Sequence, residues 1–303
     1  MLPLQYVHPS HIDVVYYHKG CTDGAMAAAV ALVYNATYYP CDISHHIDVR
    51  PFGYTDEVNC LPDLSNNSVL FVDIALTKEK YVAIKAKCKR LIMLDHHASA
   101  FQELQGTMGC FFESDKSGCV MAWEYFFPGW PIPQLLLFVQ ARDLWRMDEV
   151  AKAFTAYFYT LPIDPYDYAA FLTQSPVLIT NWVENCIEQG RKTLMRQEQS
   201  MEKLEVLSKV VKCKDHPQYK VTLVNCTDFS LVSSLGAKLS KATGIAVLWT
   251  KDNQQKFKAS LRSSAPAECL SLAKLFGGGG HEHSASFVSD VPIEDLFEEN
   301  KDA

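Results

Sequence analysis

Six short stretches of this 303-residue chain carry side chains that could do chemistry. His18, Cys21 and Asp23 lie in HKGCTDG, and Asp73 ends SVLFVD. Asp95, His96 and His97 follow RLIML, and Asp143 stands in QARDLW. Arg262 lies in SLRS, and Gly277, Gly278, Gly279 and Gly280 run directly into His281. Imidazoles mixed with carboxylates suit a borderline-to-hard divalent cation such as Mn²⁺ better than a thiolate-type zinc site does. The donors suffice for two ions that share a carboxylate. Two ions so placed generate hydroxide from bound water and neutralise phosphoryl charge, the usual arrangement for cleaving a phosphoester. The glycine run permits positive φ and close backbone approach, and its N–H groups can hold an anion. An arginine fork is a bidentate phosphate donor.

These residues can meet only if the elements between them bring them together. The first half alternates β-rich and helical pieces: DVVYY (13–17), a helix over 25–33, a second β-rich piece in ATYYP (36–40), SVLFVD (68–73), a helix over about 78–88, and RLIMLD (90–95). Continuous apolar strands alternating with helices predict an α/β fold, a parallel sheet with helices on both faces. The carboxyl ends of such strands face one crevice, so the clusters at His18–Asp23, Asp73 and Asp95–His97 are expected to converge there. From 117 to about 210 the pattern is mainly helical. SGCVMAWEYFF stops at Pro128, Asp143 closes an apolar helix, and a long polar helix covers roughly 180–209. A smaller α/β unit follows, running VTLVN, LVSSLGAKLSKATG, IAVLWT, KFKASLRS, AECLSLAKLF, GGGGH and SASFV. The expected division is a catalytic domain over 1–190, a helical linker over 191–212 and a substrate-binding domain over 213–303, with the active site in the cleft between the domains. A second histidine pair, His45–His46, has no apolar strand before it and reads as a surface loop.

The formal net charge is −7, which argues against a broad electrostatic grip on long duplex nucleic acid. Carboxylates that hold cations also lower the formal charge, so a phosphate-bearing substrate is still admitted. Hydrophobic residues at 48% and charged residues at 21% describe a chain with a real core rather than a disordered one. No apolar run reaches the roughly 20 residues of a membrane span, so no membrane partner is expected. The segment MLPLQYVHPSHID carries no readable secretory signal. Ten cysteines without a C-x-x-C pair read as reduced, buried thiols, Cys88 and Cys119 among them, in a cytoplasmic protein.

In order and spacing these motifs resemble the DHH phosphoesterases with a DHHA1 C-terminal domain. The likeness runs through HKGCTDGAMAAA, FVDIA, LDHH, SGCVMAWEYFFP, ARDLW and FGGGGH. Relatives of that kind include RecJ-type exonucleases, oligoribonucleases and cyclic-dinucleotide phosphodiesterases. The resemblance implies two divalent ions, both Mn²⁺ by preference, with Mg²⁺ as the alternative metal. Asp73 would bridge them, His18 would bind the first, and Asp23, His96 and Asp143 would complete the second. Asp95 and His97 would orient ligands or contact the scissile phosphate. Arg262 and the Gly277–His281 loop would hold the substrate's nucleotide or terminal phosphate. The implied activity is Mn²⁺-dependent hydrolysis of a short single-stranded oligonucleotide or a small nucleotide. The alternatives are a cyclic-dinucleotide or pAp phosphoesterase, or an enzyme acting on inorganic pyrophosphate or polyphosphate, and a non-catalytic nucleotide-binding regulator is the alternative of another class. Oligomeric state is left open. Two positions depart from the pattern. Cys21 stands where the family commonly has the first aspartate of D-x-D, a softer donor at the first ion. The segment EHSASF after GGGGH differs from the more apolar stretch common there.

Overall fold

The computed structural model describes residues 7–40, 46–74, 76–251 and 255–299. They fold as two compact units, 1–193 and 194–303.

The first unit opens with β1 (Val14–His18), α1 (Thr22–Tyr38), β2 (Asp48–Phe52), β3 (Leu64–Val72), α2 (Lys78–Lys85), β4 (Cys88–Asp95), α3 (Ala98–Leu104) and β5 (Cys110–Phe112). Five helices follow: α4 (Gly118–Phe126), α5 (Gln134–Asp143), α6 (Glu149–Phe158), α7 (Pro165–Leu172) and α8 (Pro176–Leu207), the last running past the boundary of the unit. The strands form one sheet in the order β2-β1-β3-β4-β5, every pair parallel. Successive side chains of a strand point to opposite faces. Val15, Tyr17, Leu70, Val72, Ile92 and Leu94 therefore pack with α1 and α4 through α6. Val14, Tyr16, Val69, Phe71, Leu91 and Met93 pack with Tyr81 and Ile84 of α2. This is the two-faced parallel sheet that the apolar runs predict.

α1 is buried almost throughout, because Ala25, Ala27, Ala28, Ala29 and Ala31 let its backbone approach the sheet and α4 closely. Its end corrects one expectation. Ala36–Tyr38 continue α1 rather than forming a strand. Tyr38 makes tilted ring contacts with Tyr34 (4.8 Å) and Phe127 (6.1 Å), and this aromatic packing overrides the local β preference. The actual second strand, β2, contains Pro51. It is tolerated because β2 is an edge strand, where one side needs no ladder donor. His46 is exposed, as its loop suggests, and His45 lies outside the described residues. Cys88 is only half-buried, against expectation, because it opens β4 at the sheet's end, whereas Cys119 is fully buried.

The second unit contains β6 (Lys209–Cys213), β7 (Lys220–Asn225), α9 (Val232–Thr243), β8 (Ile245–Lys251), β9 (Phe257–Ser263), α10 (Cys269–Leu275), β10 (Gly279–His281), β11 (Ser284–Ser289) and β12 (Phe297–Glu299). Its seven strands run β10-β11-β9-β8-β7-β6-β12, parallel only between β7 and β8. α9 covers one face through Leu235 and Leu239, and α10 covers the other through Leu272 and Ala273. Two of the four glycines are demanded by backbone packing. A Cβ on Gly278 would lie 2.2 Å from the Ser286 carbonyl, and one on Gly280, at φ +140°, would lie 2.6 Å from Ala285 Cα. Among the described residues no helix is long and apolar enough to cross a membrane.

α8 crosses α6 at Gly190, where a Cβ would lie 1.6 Å from the Ala153 carbonyl oxygen. Gly190→Ala should therefore destabilise the protein by ~3 kcal/mol, lowering the thermal midpoint by roughly 6–10 °C. Gly279→Ala, where a Cβ meets nothing within 4 Å, should stay within ~2 °C of the parent. Equal melting of the two variants would refute this packing.

Candidate metal centre

In the strand order 2-1-3-4-5 the sheet reverses direction of growth between β1 and β3, and the crevice outside the carboxyl ends there is where open α/β sheets bind ligands. His18 is the last residue of β1, Asp73 follows β3, and Asp95 ends β4. Cys21 caps α1, Asp23 lies in its first turn, and Asp143 ends α5. The structure brings every sequence-nominated residue of this unit into three overlapping groups. These are His18–Cys21–Asp73, Asp23–His96–Asp143, and Asp73–Asp95–His96–His97, with donor atoms within 4.8 Å of one another in each.

Asp73 is the member that links them. Its carboxylate lies 3.1 Å from His96 Nε2 through Oδ1 and 3.7 Å from His18 Nδ1 through Oδ2. Its backbone is left-handed, at φ +59°, a conformation that aspartate tolerates better than most residues. The same turn lets the Asp73 N–H donate to the Leu94 carbonyl at 3.1 Å, tying the end of β3 to β4. His96 Nε2 also lies 3.3 Å from Asp143 Oδ2. His97 is oriented separately. Its Nδ1 pairs with Oδ1 of the fully buried Asp95 at 2.7 Å, so Nε2 is the ring nitrogen that this pair does not use.

Asp23 is held by a device that sequence reasoning missed. Its two oxygens accept the N–H groups of Gly118 (2.6 Å) and Cys119 (3.1 Å) at the start of α4. Those are orphan donors at the positive end of a helix dipole. The N–H of Ser117, just before them, donates to Gln140 Oε1 of α5 at 3.1 Å. Gly118 is obligatory, since a Cβ would lie 2.5 Å from Asp73 Cβ and 2.9 Å from Asp23 Oδ2. Gly24 has the same function at the first motif, where a Cβ would lie 2.9 Å from His18. The only legible signal was a glycine at the first position of a helix, after a serine.

The electrostatics show what the arrangement lacks. Burial first, and then the charges of Asp73 and Asp143, push Asp23 up to about 8. Burial and the Asp73 charge raise Asp143 as well, and they raise the Cys21 thiol. Burial would raise Asp73 too, but the imidazoles of His18 and His96 outweigh it and hold Asp73 below the usual carboxylate range. Burial opposes a charged His96, yet the bond to Asp73 and the nearby carboxylates raise it to about 9. His97 is raised chiefly by its bond to Asp95. Four buried atoms here, His18 Nδ1, Asp73 Oδ2, Asp95 Oδ2 and Asp143 Oδ2, have no hydrogen-bond partner among the described residues. Buried acceptors without donors, set among carboxylates of like charge, fit divalent cations. The N and O donors fit Mn²⁺ or Mg²⁺, with Cys21 the one soft exception.

The residues nominated in the second unit form a separate row. Arg262 on β9 aligns with Ser284 on β11, which aligns with His281 on β10, so the three share a sheet face. The Arg262 guanidinium donates to Ser233 Oγ (3.1 Å) and to the Leu261 carbonyl (2.9 Å). His281 is exposed.

No profile of a known protein family matches the chain. An uncharacterized protein of Acanthamoeba polyphaga mimivirus is 28% identical over 292 residues, which cover 91% of this chain and 67% of that protein. Among solved structures, the pGpG-specific phosphodiesterase PggH of Vibrio cholerae superposes with a TM-score of 0.54 at 14% identity, covering 94% of each chain. The DHH domain of a protein from a ribosomal-protein family superposes with a TM-score of 0.50 at 12% identity, covering 93% of this chain and 83% of that one. The fold is that of DHH-family proteins.

The titration of the metal-free centre gives a pH signature. Asp23 has a folded value, about 8, above its ordinary 3.8, so its contribution is complete below 3.8 and is lost as pH rises through 8. His96, raised from 6.5 to about 9, contributes fully below 6.5 and is lost as pH rises through 9. EDTA-treated protein should therefore melt lower at pH 9 than at pH 6.5. Added Mn²⁺ should raise the midpoint by ~3 °C or more, with the larger gain at pH 9, because the ion replaces those protons. A Mn²⁺ gain that is absent, or larger at pH 6.5, would contradict the site.

Proposed function

We propose that this chain, built on the DHH-family fold, is a metal-dependent phosphoesterase. We further propose that it hydrolyses short single-stranded oligonucleotides or small nucleotides. One observation carries the reading: Asp73 belongs to the His18–Cys21–Asp73 set and lies 3.1 Å from His96 of the Asp23–His96–Asp143 set, and buried oxygens and a ring nitrogen there lack a hydrogen bond among the described residues. His18, Cys21 and Asp73 would hold one Mn²⁺ or Mg²⁺ ion, and Asp73, Asp23, His96 and Asp143 a second. A pair of such ions supplies phosphoryl charge neutralisation and lowers the pKa of water.

The chain's own groups have definite tasks in this reading. Asp23, pinned by the α4 amides, and Asp73, set by its left-handed turn, fix the separation of the two sets. Asp95 keeps a proton on His97 Nδ1 and favours the imidazolium, so His97 Nε2 can donate to a non-bridging phosphate oxygen. Arg262, Gly278, Gly279, Gly280 and His281 would contact a phosphate or nucleotide of the substrate, with the Arg262 fork already oriented by Ser233. The shared fold of a pGpG-specific phosphodiesterase supports a linear dinucleotide as the first substrate to try.

The test is a panel of pyrophosphate, pAp, linear and cyclic dinucleotides, and 5-mer and 30-mer single strands, with Mn²⁺ or Mg²⁺. Linear dinucleotide and 5-mer should be cleaved to mononucleotides, and the 30-mer poorly. Asp73→Asn should lower kcat by ~10³-fold or more and reduce bound Mn²⁺ from about two ions per chain, read by elemental analysis. Full activity in Asp73→Asn would end the site assignment, and turnover of pyrophosphate alone would end the nucleotide reading.

A further inference from the structure

α5 ends on Asp143, and the chain then turns back through Trp145 at φ +55°. The Trp145 N–H donates to the Arg142 carbonyl (3.2 Å) and the Arg146 N–H to the Ala141 carbonyl (2.8 Å). These paired bonds make a helix stop whose left-handed position normally takes glycine. A bulky aromatic residue is strained there, and strain of this kind collects at functional sites. Burial does not offset it, because Trp145 is 76% exposed.

The ring is not isolated from the centre. The Arg142 guanidinium lies 5.6 Å from the Trp145 ring centroid and 5.1 Å from that of Tyr159, so the cation sits on two rings rather than on a carboxylate among the described residues. Tyr159 is raised chiefly by burial and then by the Asp23 charge. Asp143 itself is two residues from Trp145 and 3.3 Å from His96. An exposed indole, braced by an arginine and presented beside a phosphoester centre, is what a nucleobase stacks on. An inorganic phosphate would use the cation and leave the ring idle.

We propose that Trp145, braced by Arg142, is a stacking platform for a purine or pyrimidine base of a nucleoside phosphate. The platform makes the site selective for nucleotides over phosphates that lack a base. This deepens the phosphoesterase reading and rests on it only for the identity of the ligand.

Binding, not turnover, provides the test. GMP and ribose 5-phosphate are titrated into Mn²⁺-loaded protein by calorimetry. The parent should bind GMP ~10-fold or more tightly than ribose 5-phosphate, the range expected for one stacked base. Trp145→Gly should bring the two ligands within about two-fold, and Trp145→Phe should keep most of the preference. Glycine relieves the left-handed strain, so the Trp145→Gly midpoint should equal or exceed the parent's, which excludes misfolding as the cause. A retained GMP preference in Trp145→Gly, or equal loss for both ligands, would overturn the proposal. A protein that hydrolyses nothing in the substrate panel yet loses GMP preference in Trp145→Gly would keep the platform and sink the phosphoesterase reading.

Discussion

Like charge crowded under low solvent exposure is the constraint on which the rest of the first unit depends. Asp23, Asp73 and Asp95 are buried, Asp143 is partly so, and donor atoms of the overlapping groups lie within 4.8 Å. Carboxylates packed this way repel one another, and without cations the fold must protonate some and pair others. The raised Asp23 and Asp143 and the lowered Asp73 are that compromise. An arrangement so costly in the bare protein is stable when positive charge enters it, and this is why the cluster reads as a metal centre rather than as ordinary turn chemistry.

The supporting structure is arranged around that crowding. Parallel strands put three chain segments at one edge, and the reversal between β1 and β3 opens the space between His18 and Asp73. The start of α4 is aimed at Asp23, adding backbone donors where repulsion is greatest. Gly24 and Gly118 are where a helix start approaches a strand end too closely for any side chain. The alanines of α1 extend the same close approach into the core. Packing and electrostatics thus make one demand, that elements carrying the donors lie nearer to each other than ordinary residues permit.

Much of this was legible beforehand, and the exceptions have identifiable causes. β1, β3 and β4 stood out because fully buried parallel strands are continuous apolar runs. β2 did not, since DVRPF is polar and interrupted by Pro51, which only an edge position tolerates. ATYYP misled because its Tyr38 packs, as helix, against Tyr34 and Phe127. The GGGGH run looked like an anion loop. Part of it is the strand β10, and only Gly280 within it and Gly278 just before it are required by close approach to the backbone of β11, a contact that leaves no local mark. Asp23 was visible as a donor, but its amide partners lie 95 and 96 residues away.

The chain's local pattern by itself settled the alternation of strand and helix, the types of donor available, and their placement at element ends. These follow from periodicity and side-chain chemistry, which act over a few residues. The fold alone decided that His18 and His96 share the Asp73 carboxylate, that Asp73 sits in a left-handed turn, that α4 points its amides at Asp23, and that Trp145 is exposed beside Arg142. Each of those depends on distances of a few ångström between residues far apart in sequence or on a strained backbone angle. Short-range propensity carries no information about either.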